Sequence, residues 1–362
     1  MNRVAEDYGI VTAPGRVNLI GEHIDYHGLP VLPMALGRHV RAVFRRRTDR
    51  CITAVSAGYG ARSFEWTEEL EPVAAGEWEN YLRAAARVAR SFLREPVGID
   101  AEISSDLPAA AGLSSSSALL VAFTLGLLRA NGYNPVFEEL MAVLPDGEQF
   151  VGTRGGGMDH AAVLGSRAGC ASLIGFEPLT LRPIPVPRNW AILVADSGVR
   201  AEKSGAAREG YNRPRAAGRA ALERLGMRSY FEASPEDAER LEDHEERAAF
   251  LHVTTEKQRV SAAAEALQAA DLPRFGGLLL ESHASLRDRL RLSCPELDRL
   301  VERAMDLGAS GARLTGGGLG GCAVVACEGT KAAALAAALP AMVAEPGPGS
   351  LANGLGEKDS RT

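Results

Sequence analysis

No stretch of this 362-residue chain is apolar for long enough to cross a bilayer. The nearest, Ala332–Ala344, falls short of the ~20 residues required and is interrupted by Pro340. Cysteine is sparse. Cys51, Cys170, Cys294, Cys322 and Cys327 are an odd number without metal-ligand spacing, which reads as small core residues in a reducing compartment. There is no excess of positive charge. A net charge of −6 argues against nucleic acid or anionic lipid as the main partner. The N-terminus, M-N-R-V-A-E-D-Y-G, lacks the apolar core of a signal peptide, and a cytoplasmic protein is the expectation. Internal repeats are absent too.

What is present is ordinary in bulk and unusual in places. A hydrophobic content of 46% and a charged content of 24% suit a globular protein. The length allows two or three cores at ~150 residues per domain. The densest signal is Asp106–Leu120, D-L-P-A-A-A-G-L-S-S-S-S-A-L-L. An alternating strand over Ile99–Ile103 precedes it and an apolar helical run, Ala118–Leu128, follows. Strand, small-residue loop and helix start together aim free backbone N–H groups and a helix dipole at an anion. Four hydroxyls add donors for phosphate oxygens and a ligand for a hard cation. The same serines would serve equally as ordinary helix caps.

Three further stretches carry chemistry. Ala13–Leu36 sets Arg16, Asn18, Glu22, His23, Asp25 and Tyr26 among apolar residues. Glu22, His23 and Asp25 offer the donors and acceptors that pair with vicinal hydroxyls, or else form a solvated turn. In Glu148–Asp159, E-Q-F-V-G-T-R-G-G-G-M-D, three glycines permit close approach to a ligand just before Asp159, itself a good helix cap. Gly311–Cys327 contains a G-x-G-x-x-G match at Gly316, Gly318 and Gly321. A dinucleotide fingerprint needs a helix after the last glycine; C-A-V-V-A-C reads as a strand, so the element is a glycine-tipped hairpin. Helix is expected over Trp78–Phe92 and through most of Glu202–Leu290, with Pro214 in a first turn. Strands are expected over Arg38–Arg47, Cys51–Ala57, Ala171–Phe176 and Trp190–Ser197, and a frayed tail after Glu345.

Taken together, A-P-G-R-V-N-L-I-G-E-H-I-D-Y at Ala13–Tyr26, P-A-A-A-G-L-S-S-S-S-A at Pro108–Ala118 and R-L-T-G-G-G-L-G-G-C-A-V-V at Arg313–Val325 resemble the galactokinase family. That family lies within the GHMP superfamily of small-molecule kinases. Arg247–Val260 and Glu281–Asp298 also look like galactokinase segments. The resemblance implies an α/β (α+β) two-domain GHMP kinase fold with the active site in the cleft. An N-terminal ribosomal-protein-S5-like domain over 1–188 would precede a ferredoxin-like C-terminal domain over 189–345 and a disordered tail over 346–362.

It further implies an ATP-dependent sugar 1-kinase acting with Mg²⁺, a small-molecule sugar as partner, and a monomer. By resemblance Asp159 matches the catalytic aspartate and Arg16 the basic residue beside it. Glu22, His23, Asp25, Gly156, Asp159 and Tyr211 match sugar contacts. Gly112, Leu113, Ser114, Ser115, Ser116, Ser117 and Trp78 match the ATP site, and Ser116 with Glu148 the metal ligands.

Several features depart from the family pattern. Many members place the metal glutamate at the position held here by Gly147, and glutamine where His160 stands. The segment before Ala13 is shorter than usual, and the Pro/Gly-rich tail does not supply the family's last apolar strand. D-galactose is the leading acceptor, with N-acetylgalactosamine the rival. A non-catalytic sugar sensor is the reading from another class, and it is expected to carry a damaged serine loop; G-L-S-S-S-S-A is intact.

Overall fold

The computed structural model describes residues 8–108, 112–152, 155–200 and 206–351, with the side chains of 206–211 excepted. Two antiparallel strands, β1 (Tyr8–Ile20) and β2 (Leu32–Arg46), pair along most of their length. β3 (Cys51–Ser56), β4 (Gly60–Glu65), α1 (Glu79–Arg90) and β5 (Ile99–Ser105) follow. The five strands form one sheet in the order β1-β2-β5-β3-β4, with β3 and β5 parallel. Arg38–Arg47, expected as a separate strand, is the outer half of β2.

Across one face of this sheet runs α2 (Ser115–Ala130), contacting β1 and β2. Its sequence from Ala118 to Leu128 has almost no polar face because the helix is covered on both sides, by the sheet and by α1. α3 (Phe137–Val151), α4 (Met158–Gly165) and the β6–β7 hairpin (Cys170–Phe176, Leu179–Pro185) complete the first unit.

The second unit begins at β8 (Trp190–Asp196), followed by α5 (Ala206–Leu225), α6 (His244–Gln268), α7 (Leu272–Ala284) and α8 (Pro295–Asp306). β9 (Gly311–Thr315), β10 (Cys322–Glu328), α9 (Ala332–Ala338) and β11 (Ala341–Val343) close it. Its sheet is antiparallel in the order β11-β8-β10-β9. α7 lies on β9 with bare backbone between them. A Cβ at Gly276 would sit 1.9 Å from the Ser310 carbonyl, so only glycine fits.

Three expectations are corrected. Pro214 is inside α5 rather than in its first turn. The second sheet does have its edge strand: β11 pairs with β8 before the proline-rich segment is reached. Residues 346–351 are also not a frayed end. Gly347, Gly349, Ser350 and Leu351 donate backbone hydrogen bonds to Ala35, Ser166, Val163 and Leu164, and Pro346 accepts one from Gly169. The chain therefore leaves the second unit and docks on the first. Residues 352–362 lie outside the described residues.

Candidate active site

β1 carries Arg16 into the cleft, where it makes three contacts. Its backbone N–H donates to the Leu113 carbonyl at 3.1 Å, Nη1 to the Gly112 carbonyl at 2.9 Å, and Nε to Asp159 Oδ1 at 2.6 Å. The neighbouring Gly15 lets the serine loop lie directly on the strand, since a Cβ there would be 2.9 Å from the Leu113 carbonyl. One arginine, 7% exposed, thus ties the loop to Asp159. The contact is a short charge-assisted hydrogen bond, with the Asp159 side chain still 22% exposed.

Asp159 is in the first turn of α4, after Gly157 at φ +98°. Its Oδ2 accepts the Ser114 hydroxyl at 2.5 Å and lies 3.4 Å from that of Ser117. Ser114 stands at the N-cap of α2 in the left-handed region, φ 55°. The starts of α2 and α4 therefore meet at one carboxylate, with the free N–H groups of both first turns nearby. Glu148, from α3, accepts the Ser117 hydroxyl at 2.6 Å. Buried His160 lies 3.5 Å from the same oxygen. Ser116 hydrogen-bonds the half-buried Tyr81, whose hydroxyl is pushed up by desolvation, with the Glu148 charge also near it. Ser115 and Ser116 are half-buried at the loop's open side.

Asp25 forms the other wall. It sits in a single helical turn, Asp25–His27, and accepts the Gly156 N–H at 3.2 Å. Burial and the neighbouring Asp159 charge push its carboxyl up to about 6. Gly156 has no room for a side chain: a Cβ would lie 2.4 Å from the Tyr26 nitrogen. Asp25, Gly156 and Asp159 are thus brought together as expected. Glu22 and His23 lie buried beside them. Glu22, 2% exposed, accepts from the Gly316 N–H and, at 3.2 Å, from the Thr315 hydroxyl, and lies 3.4 Å from Arg313 Nη2. His23 meets the Tyr26 hydroxyl at 2.9 Å through Nδ1, and burial lowers it to about 3, so it is neutral. The Tyr211 side chain lies outside the described residues. Trp78 is buried before α1, donating to the Tyr59 carbonyl at 3.1 Å with Arg62 over its ring.

Sequence reasoning missed Arg313 and Thr315 as the groups that receive Glu22, and Ser114 as a direct partner of Asp159. For the first pair a signal existed, since R-L-T precedes the glycine hairpin, but nothing in it says which loop it meets. Among the described residues no group of three or more His, Cys, Asp or Glu side chains is placed to hold a metal alone. Glu148 and a serine hydroxyl nonetheless form an all-oxygen set, which suits a hard cation that draws its remaining ligands from phosphate and water. No helix among the described residues is long and apolar enough to cross a membrane.

A loop at a helix start, an aspartate held against it by an arginine, and a cleft between two α+β units define a small-molecule kinase of the GHMP type. Residues 80–166 match the GHMP kinases N terminal domain and 263–345 the GHMP kinases C terminal domain. The galactokinase galactose-binding signature matches residues 2–46. The chain is 39% identical over 343 residues to a galactokinase of Roseiflexus sp. (strain RS-1), covering 90% of this chain and 86% of that one. It is 34% identical over 328 residues to a galactokinase of Thermococcus kodakarensis, covering 90% and 91%. The Lactococcus lactis galactokinase, crystallised with galactose, superposes with a TM-score of 0.89 at 28% identity, over 96% of this chain and 95% of that one. The chain belongs to the galactokinase family and is an ATP-dependent sugar 1-kinase.

Proposed function

We propose that the acceptor is the anomeric hydroxyl of D-galactose, with Asp159 as the base and Arg16 as the charge stabiliser. The observation that carries this reading is the position of one carboxylate. Asp159 is gripped by Arg16, reached by the loop hydroxyl of Ser114, and bordered by Asp25 and Gly156. A sugar hydroxyl standing between Asp159 and the serine loop has a base on one side and a phosphoryl group on the other. Asp159 takes the proton as the sugar oxygen bonds to the γ-phosphorus, and the bond to the β-phosphate oxygen breaks to release ADP. Arg16 offsets charge on the moving group and holds the Asp159 carboxylate in place.

The backbone N–H groups at the start of α2 bind phosphate oxygens, with Ser115 and Ser116 at the open side of the loop. Asp25 accepts from a sugar hydroxyl and the Gly156 backbone completes the contact. His23 and Glu22 support the segment from behind, and Tyr211 is a further sugar contact. Trp78 stands near the adenine. Glu148 and Ser116 would hold Mg²⁺, which when bound supplies positive charge to the β and γ oxygens. The working unit is a monomer, and five free cysteines support a reducing, cytoplasmic setting.

The test is ADP release across a panel of hexoses, with the product's phosphate located by NMR. Turnover with D-galactose and phosphate on the anomeric carbon is the expected result. Phosphate on another carbon, or no turnover with D-galactose, would overturn the reading.

A further inference from the structure

α6 reaches across from the second unit and holds the peptide that leads into Asp25. His252 and Glu256, one turn apart on the same face of the helix, take its two ends. The Gly21 N–H donates to Glu256 Oε1 at 3.0 Å, and His252 Nε2 is 3.0 Å from the Glu22 carbonyl. That carbonyl can only accept, so Nε2 carries the proton and Nδ1 accepts from the Ser285 hydroxyl, 2.9 Å away. Burial lowers His252 to about 4, so this single tautomer persists at neutral pH. Glu256 is in turn fixed by the Ser282 hydroxyl at 2.6 Å and by Arg259 Nε at 2.7 Å.

The grip has no slack. Gly21 adopts φ +106°, and a Cβ there would lie 3.0 Å from Val260 on the same helix. Immediately downstream His23 takes φ 61°, a conformation rare for a side-chain-bearing residue, and two residues later Asp25 faces Gly156 and Asp159. A segment bent this way needs both peptide ends defined from outside. None of these α6 groups reaches the cleft itself: His252 and Glu256 are fully buried.

We propose that His252 and Glu256 are positioning residues for sugar binding, setting the orientation of Asp25 by clamping Gly21 and Glu22 from the second unit. The proposal rests on the reading of Asp25 as a sugar ligand. Loss of the clamp lets the segment sample other orientations, so sugar affinity falls. Phosphate binding, organised by Arg16 and α2, is left intact.

The experiment compares wild type with His252→Leu, His252→Gln and Ser282→Ala, measuring sugar Kd by calorimetry, KM for sugar and for ATP, kcat, and melting temperature. His252→Leu should raise sugar Kd and KM about tenfold or more, with ATP KM and saturated kcat within about twofold. His252→Gln keeps an N–H donor toward the Glu22 carbonyl and should recover most of that loss. Ser282→Ala should raise sugar KM about threefold. Sugar Kd and KM unmoved in every variant, with only the melting temperature lowered, would overturn the inference. If His252→Leu does not fold, Ser282→Ala decides by the same criterion. Should wild type use another sugar of the panel and not galactose, the proposed acceptor fails, and the clamp is judged by the same comparison with that sugar.

Discussion

Asp159 and Asp25 place two carboxylates in one small space, and the protein treats them differently. Asp159 has Arg16; Asp25 has burial and a like charge, and is pushed up to about 6. A carboxyl raised above its unfolded value of 3.8 favours the folded state fully only below that value. The advantage is lost as pH rises through about 6, so at pH 7 the ionised group weighs against folding. Asp25→Asn should therefore melt higher than wild type at pH 7, by about 1–3 kcal/mol in stability, with the gap shrinking as pH is lowered toward 4. It should bind sugar more weakly at the same time. Calorimetric melting at stepped pH checks this; a gap independent of pH would remove the charge argument. Asp159→Asn should lower kcat about 10²–10⁴-fold while sugar Kd stays within a few-fold, because the amide still accepts a hydrogen bond but cannot take the proton. Wild-type turnover in that variant would make Asp159 no more than a helix-start residue. At this scale the sequence was informative about residue type and not about direction. Glu22 and Asp25 read alike as hydroxyl ligands, yet Glu22 is held by the glycine hairpin and Asp25 by the Gly156 N–H.

Elements were legible wherever side-chain period carried them. α1 falls within a few residues of expectation because apolar spacing marks it, and α2 because a long apolar run follows the serine loop. β7 escaped notice because Pro183 and Pro185 argue against a strand; it survives as one half of a two-stranded hairpin, where a missing N–H is tolerated. Residues 346–351 depart from expectation for a similar reason. Their docking depends on backbone groups at glycines, which leave no apolar alternation to read. A Cβ at Gly349 would lie 2.4 Å from the Leu164 carbonyl, so the glycines are what allow the contact. Removing residues 346–362 should lower the melting temperature by about 5 °C or more, given several backbone hydrogen bonds at about 1 kcal/mol each. An unchanged melting temperature would show that the docked segment contributes nothing.

Over the whole molecule, three motifs widely separated in the chain meet at one cleft. The signature strand β1 supplies Arg16, the serine loop lies on it, and the glycine hairpin of the second sheet grips Glu22. That the three belong together was readable from their order. How the second unit holds the first was not, because buried pairs such as Arg313 with the Asn18 and Leu19 carbonyls join residues almost 300 positions apart. The proposed sugar site is therefore braced by both units, and its fit to galactose is the claim on which the functional account stands. The most direct test is kcat/KM for D-galactose and N-acetylgalactosamine measured side by side on the same preparation. The account predicts at least a tenfold preference for D-galactose, about 1.4 kcal/mol in transition-state binding. A tenfold preference for the N-acetyl sugar would contradict it.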